Sequence, residues 1–381
     1  MVYLCKTYVD YNEVNVLLNE NKVKMMTKMA IYEKNEGRRM LRTAKYFKGD
    51  YVAFGILKTL ITTTFAFAIV AIMYVLCNAE GLVENINSMD YLAFGKTYGK
   101  MTGMPVGLIQ TSLGGSPMER WNPKDGDLYL NMVDKIHETG GRYAGVLWYQ
   151  GCSDTNPGPA EKYLEHFREY VEATRKELGY EIPFFTMQLN RQINGINDEC
   201  WGMVRDAQAR AAKEIPGVSV LTTSNLSLCD GIHNTAQANV ALGEKLAKQC
   251  AHVLNGKEEY QPPELVKVER ADEAERKSFQ LKGSGIWLKL TCDHVKNCFL
   301  VYSAVGKDSG FTLTDSEGEV EILHIRGNRE NKNHLYLELA REVEDEAELS
   351  FVWQADPIKQ PPVDEVTFLP LLSFYKKSIK L

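Results

Sequence analysis

Asp230-Gly231-Ile232-His233 is the segment whose residue types and spacing come nearest to chemistry. An aspartate three positions before a histidine can accept a hydrogen bond from one ring nitrogen. That fixes the tautomer and leaves the other nitrogen as a general base. Among the seven histidines, His233 alone combines a loop position, a nearby aspartate and a following helical pattern. A capping aspartate beside a surface histidine fits the same residues at least as well. A second segment, Gln110-Thr111-Ser112-Leu113-Gly114-Gly115-Ser116, sets adjacent glycines after an apolar run. Lacking Cβ atoms, Gly114 and Gly115 can bring backbone N–H groups close to a developing oxyanion. A third, Trp148-Tyr149-Gln150-Gly151-Cys152-Ser153-Asp154, puts Gln150 at a strand end, where its carboxamide can donate to the same oxyanion. A Gly-Gly pair is also an ordinary turn and a lone glutamine an ordinary loop brace.

Positioning these loops requires elements that end where they begin. PVGLIQTS (105–112), YAGVLWYQG (143–151), IPFFTMQL (182–189) and GVSVLTTS (217–224) read as apolar strands. Between and after them LYLNMVDKIHE, AEKYLEHFREYVEATRKELG, WGMVRDAQARAAKEI and NTAQANVALGEKLAKQCAHVL show apolar spacings of three and four. This alternation predicts a parallel sheet covered on both faces, with functional groups gathered past the carboxyl ends of its strands. After about Glu258 the texture changes. FQLKGSGIWLKL, NCFLVYSAV, GFTLTDSEGEVEILHI, HLYLELA and ELSFVW are short alternating runs, as in a small β-sandwich over 258–381.

Upstream, residues 1–50 are polar and mixed, and Thr59 to Ala79 carry no formal charge. That run matches the roughly 20 residues of a membrane-crossing helix. Arg38, Arg39, Arg42, Lys45, Lys48 and Lys58 precede it, and Glu80 and Glu84 follow. The positive-inside rule then predicts a single-pass membrane protein with 1–58 cytoplasmic and everything after residue 80 extracytoplasmic. A buried soluble helix is the alternative reading of 59–79. Residues 80–103 are a linker or helix.

With 381 residues the chain has room for two domains and an appendage. A net charge of −6 gives no electrostatic reason to expect nucleic acid. The eight cysteines form neither a CxxC pair nor a zinc spacing, so no metal is implied. Cys292 and Cys298 suit a hairpin bridge outside the cytoplasm, or simply buried thiols.

Taken together, PVGLIQTSLGGSPMERW, GVLWYQGCSDTN, IPFFTMQLN, VRDAQ and DGIHNTAQANVALGEKLA resemble, in order and spacing, the blocks of the sialate O-acetylesterase family. FVWQADP and FLPLLSF resemble its closing segments, so the likeness spans roughly 104–375. It implies a three-layer α/β domain of the SGNH-hydrolase type over 104–257, followed by the sandwich. It also implies hydrolysis of acetyl esters on sialic acid or related sugars without a cofactor. By that likeness His233 is the general base, Asp230 orients it, and Gly114 or Gly115 with Gln150 serves the oxyanion. Arg205 and Gln208 lie on a helix beside the site as architecture, and Cys152 stands where many relatives have glutamate. One block is missing: the family's Gly-Gln-Ser-Asn-Met nucleophile segment, which follows the first strand. Its nearest echo is Asn87-Ser88-Met89, while Ser112 and Ser116 belong to a different block. The expected domain is therefore truncated at its first strand. The alternatives to an esterase are a membrane-tethered glycan-binding pseudo-esterase and a fused or truncated gene product.

Overall fold

The computed structural model describes residues 19–37, 48–77, 91–281, 283, 285–343, 346–357 and 360–381, in two compact units divided between Glu80 and Gly81. Arg38, Arg39, Arg42, Lys45, residues 78 and 79 of the expected membrane run, and Asn87-Ser88-Met89 lie outside the described residues.

In the first unit, helix α1 (Glu20–Tyr32) is capped by Asn19, whose side chain accepts from the N–H groups of Asn21 and Lys22. Helix α2 runs from Lys48 to Cys77, 30 residues, or about 45 Å at 1.5 Å per residue. Its stretch Val52–Val70 is long and apolar enough to cross a bilayer, by length and composition, and none of it is buried by protein. The threonines there do not leave hydroxyls unpaired. Thr59, Thr62 and Thr64 donate back to the carbonyls of Gly55, Lys58 and Leu60 at 2.9, 2.9 and 2.8 Å. The backbone and these threonine hydroxyls are thus satisfied within the helix, as hydrocarbon would require.

The second unit, Gly81–Leu381, holds the α/β layer and the β-sandwich together. Strands β1 (Val146–Trp148), β2 (Phe184–Met187) and β3 (Val218–Leu221) pair in parallel in that order. Every residue of central β2 is buried, which explains its unbroken apolar run. Alternation sends Phe184 to one face, with Tyr163, Phe167, Tyr170 and Trp201, and Phe185 to the other, with Leu242 and Leu246. The first face is covered by α5 (Pro159–Leu178) and α6 (Asp198–Glu214), the second by α3 (Tyr91–Thr102) and α7 (Ala236–Asn255). Helix α4 (Asp127–Thr139) joins the first cluster through Leu128, Tyr129 and Met132. Within the stretch 80–103, α3 belongs to this core: Phe94 and Tyr98 are buried, and the Tyr98 hydroxyl donates to Asn255 at 2.7 Å.

One expected strand does not form. Residues 105–112 take no regular structure, and Met104, Leu108, Ile109 and Leu113 are exposed. Topology gives the reason. In a doubly wound sheet of order 2-1-3-4-5, the second strand pairs with the first alone. Among the described residues the sheet is β1-β2-β3, with β1 at its edge and no strand between it and 105–112. Without that neighbour an apolar segment has nowhere to place its backbone hydrogen bonds except water.

The sandwich consists of two four-stranded antiparallel sheets, β4-β5-β10-β9 and β13-β11-β7-β8. Their strands are β4 (Glu264–Arg270), β5 (Trp287–Asp293), β7 (Phe311–Asp315), β8 (Gly318–Val320), β9 (Ile322–Gly327), β10 (His334–Leu339), β11 (Glu346–Phe351) and β13 (Phe374–Lys380). Leu288, Leu290 and Leu337 of one sheet share a core with Leu313, Leu349 and Phe351 of the other. The strand expected at 279–290 begins only at Trp287, and that at 297–305 shrinks to β6 (Phe299–Leu300), paired with β12 (Val363–Asp364). The edge-side strands β4 and β13 were not anticipated, since their outward residues are charged and their alternation is diluted. Cys292 and Cys298 carry free, buried thiols.

Candidate active site

The loop between β3 and α7 closes on itself. Leu228 and Asn234 bridge, the Cys229 N–H donates to His233 O at 2.9 Å, and the Thr235 N–H donates to Ser227 O. Thr235 caps α7 through the Ala238 N–H, and Asn190 donates to Asn234 Oδ1 at 2.7 Å, fixing the loop to the end of β2. Within it Asp230 accepts from the N–H groups of Ile232 and His233 at 2.8 and 2.7 Å, and its other oxygen meets His233 Nδ1 at 2.7 Å. Those donors, the His233 N–H foremost, hold the Asp230 carboxyl at about 2. Both side chains are about half exposed, and His233 Nε2 has no partner among the described residues. A carboxylate on Nδ1 and an open Nε2 is the arrangement of a general base.

The β1 loop is built differently from its expected role. Gln150 Nε2 donates to Ser116 O at 2.9 Å and to Asp154, so both carboxamide hydrogens point inward. Asp154, which sequence reasoning passed over, is buried and also accepts the Met118 N–H at 3.0 and 3.1 Å. Burial pushes its carboxyl up, against the lowering effect of those donors. The signal available was its position closing the same loop as Gln150. Gly151 must be glycine: its φ is +134°, and a Cβ would meet Gln208 and Val204 at 3.1 Å. Gln208 holds the loop from below, donating to Gln150 O and accepting from the Leu189 N–H, each at 2.9 Å.

Gly114 and Gly115 form an exposed turn, with Gly115 at φ +68°. Neither N–H donates to a described residue, and Ser153 Oγ ties the turn to the β1 loop through Gly115 O at 2.9 Å. The nearby hydroxyls are occupied. Ser116 is buried, donates to Leu113 O and accepts from Trp121. Cys152 opens onto a cavity, yet desolvation by the surrounding loops pushes its thiol up to about 11. It therefore stays protonated near neutral pH and makes a poor nucleophile. Ser112 is exposed, and no described side chain offers a hydroxyl to His233 Nε2.

Arg205 acts as architecture. Fully buried, it donates from Nε to Leu189 O, from Nη2 to Asn190 O, and from Nη1 to Val352 O and Gln354 O, at 2.6 to 3.0 Å. Burial lowers its guanidinium to about 10.

These loops meet at the carboxyl end of the parallel sheet, where 193 is tied to 231, 153 to 115 and 197 to 155. Residues 84–252 match the family model described as carbohydrate esterase, sialic acid-specific acetylesterase. A probable carbohydrate esterase of Arabidopsis thaliana is 30% identical over 149 residues, 38% of this chain and 54% of the relative. The chain thus spans about half the length of that curated relative. A solved carbohydrate acetylesterase from Xanthomonas citri superposes with a TM-score of 0.60 at 21% identity, covering 75% of this chain and 64% of that one, a likeness of fold. Sequence blocks and the family model agree over this stretch: residues 84–252 are similar to the carbohydrate esterase, sialic acid-specific acetylesterase family.

Proposed function

We propose that the chain recognises O-acetylated carbohydrate at the carboxyl end of its parallel sheet and hydrolyses the acetyl ester by direct attack of water, as a membrane-anchored protein held by α2. The observation that carries this reading is the His233 Nδ1 to Asp230 contact at 2.7 Å with Nε2 left open. In this reading Nε2 removes a proton from water as it adds to the acetyl carbon. The tetrahedral oxyanion is met by the backbone N–H groups of Gly114 and Gly115. His233 then returns the proton to the departing sugar oxygen, releasing acetate and the alcohol. Gln150, the other oxyanion residue expected by resemblance, supports that turn by holding Ser116 O. The substrates proposed are acetyl esters of sialic acid or related sugars. Water attack without an enzymic nucleophile keeps only ~10³–10⁴-fold acceleration over the uncatalysed reaction.

The engaged hydroxyls of Ser116 and Ser153 favour a second reading, glycan binding without turnover. Acetate release from acetylated sugars by the full chain and by His233→Ala separates the two. Release that depends on His233 supports hydrolysis; equal background rates in both remove it and leave the binding role.

A further inference from the structure

A cavity of about 280 Å³ lies in the sandwich, and none of its lining residues belongs to the loops that carry His233, Gln150 or Gly114. One wall is the turn 278–281, the other is 326–330 at the end of β9, and Tyr336 of β10 completes the lining. The turn closes helix α8 (Glu273–Ser278), which Asp272 caps at its start. The Leu281 N–H donates to Arg276 O at 2.9 Å and the Gln280 N–H to Lys277 O at 3.3 Å, with Gln280 at φ +50°. This Schellman closure engages carbonyls at the helix end that would otherwise repel an anion. Gln280 O is engaged as well, by Arg326 Nη1 at 3.3 Å.

Two buried groups in this cavity have nothing to donate to. Asn328 is 7% exposed and Tyr336 1%. Asn328 Oδ1 already accepts the N–H groups of Glu330 and Asn331 at 2.8 and 3.0 Å, which fixes the orientation of its carboxamide. Its Nδ2 is therefore the atom without a partner among the described residues, and the Tyr336 hydroxyl is another. Burial raises the Tyr336 phenol, and the nearby Asn328 amide works against that rise. The two groups are thus neighbours, yet neither completes a hydrogen bond. An unmet buried donor costs stability, and one acceptor placed between the two would meet both.

The rim supplies charge. Arg326 and Arg329 are exposed lining residues, and the lining carries one carboxylate, Glu330. Two cations against one carboxylate leave an excess of one positive charge. The other acidic groups felt by Tyr336 are engaged: Glu275 holds Lys289 at 2.9 Å, and Asp272 caps α8. A monocarboxylate balances that excess, whereas a dianionic phosphate ester overshoots it. Its two oxygens also suit the site, one for the Asn328–Tyr336 pair and one for an arginine. Phe279 and Leu281, which pack with Trp287 and Tyr336, offer the body of such a ligand an apolar wall. The volume admits a ligand of about one ring.

We propose that this cavity is a binding site for a small organic monocarboxylate, held by Asn328, Tyr336 and the Arg326–Arg329 rim, and independent of the reaction proposed at His233.

The full chain in detergent is titrated with benzoate, benzamide and phenyl phosphate, and binding is read by saturation-transfer NMR. Benzoate is expected to bind saturably, at least about tenfold more tightly than neutral benzamide and more tightly than phenyl phosphate. Tyr336→Phe is expected to weaken benzoate about fivefold while leaving the thermal midpoint unchanged or higher, because it deletes an unmet hydroxyl. Arg326→Gln, at an exposed side chain, is expected to weaken benzoate about tenfold with the fold intact. His233→Ala is expected to bind benzoate as the parent does. Absence of saturable benzoate binding overturns the proposal, as does equal binding of benzamide or tighter binding of phenyl phosphate. Parent-like affinity in both Tyr336→Phe and Arg326→Gln, or loss of benzoate binding in His233→Ala, overturns it too.

Discussion

Gln188 and Ser373 exchange two hydrogen bonds: the Ser373 N–H donates to Gln188 Oε1 at 3.0 Å, and Gln188 Nε2 donates to Ser373 O at 2.9 Å. One side chain just past β2 thus satisfies both backbone groups of a residue 185 positions later. Gln188→Ala orphans a buried donor and a buried acceptor at about 1–3 kcal/mol each. The expected outcome is a clearly lowered midpoint in urea unfolding of the full chain. An unchanged midpoint would show that water replaces the carboxamide.

Arg205→Met removes a buried cation and leaves up to four carbonyls unpaired, while Arg205→Lys keeps charge but loses the planar fork. Both are expected to destabilise, by about 3–5 kcal/mol for the first. Circular dichroism melts of the two variants provide the check, and a Lys variant as stable as the parent would count against the role assigned to the fork.

For Asp230 the direction of linkage is fixed by its donors. Its folded pKa of about 2 lies below the ordinary carboxylate value of ~3.9, so its contribution to stability is present above the latter. That contribution is lost as pH falls through about 2, and half-exposure keeps it small. In His233→Ala the N–H groups of residues 232 and 233 remain, so the Asp230 carboxyl titration, followed by carbon NMR, should rise only part of the way toward ~3.9. A full return would mean that the imidazole, not the backbone, sets the value.

The thiol of Cys152 should resist alkylation near neutral pH and react appreciably only as pH approaches about 11. Mass spectrometry after iodoacetamide treatment across pH reads this directly. Fast labelling at pH 7 would show instead an activated thiol at this position.

Helix α2 is expected to hold the chain in membranes through carbonate washing. Ile61→Arg near the middle of Val52–Val70 costs about 2.5–3.5 kcal/mol of insertion free energy. Recovery of the parent chain in the soluble fraction would remove the anchoring proposal.

Much of this was legible beforehand because helices and buried parallel strands announce themselves locally. The run 160–179 became α5, which ends at Gly179 in the left-handed conformation. IPFFTMQL became β2, fully buried as its composition required. Residues 105–112 misled because their apolarity describes a partner, and the partner strand is a non-local fact. The Asp230–His233 contact followed from spacing alone. The inward turn of Gln150 did not, since it depends on Asp154 and Ser116 converging from separate loops. Strands β4 and β13 escaped because charged outer faces mask an alternation that only pairing reveals.

The four carbonyls gathered by Arg205 come from both sides of the molecule, Leu189 and Asn190 beside the parallel sheet and Val352 and Gln354 beside the sandwich. The α/β layer is therefore not a cassette. Moved into another gene without its downstream half, it would lose the clasp that sets the β2 loop. Recombination that respects this protein has to carry the sandwich along.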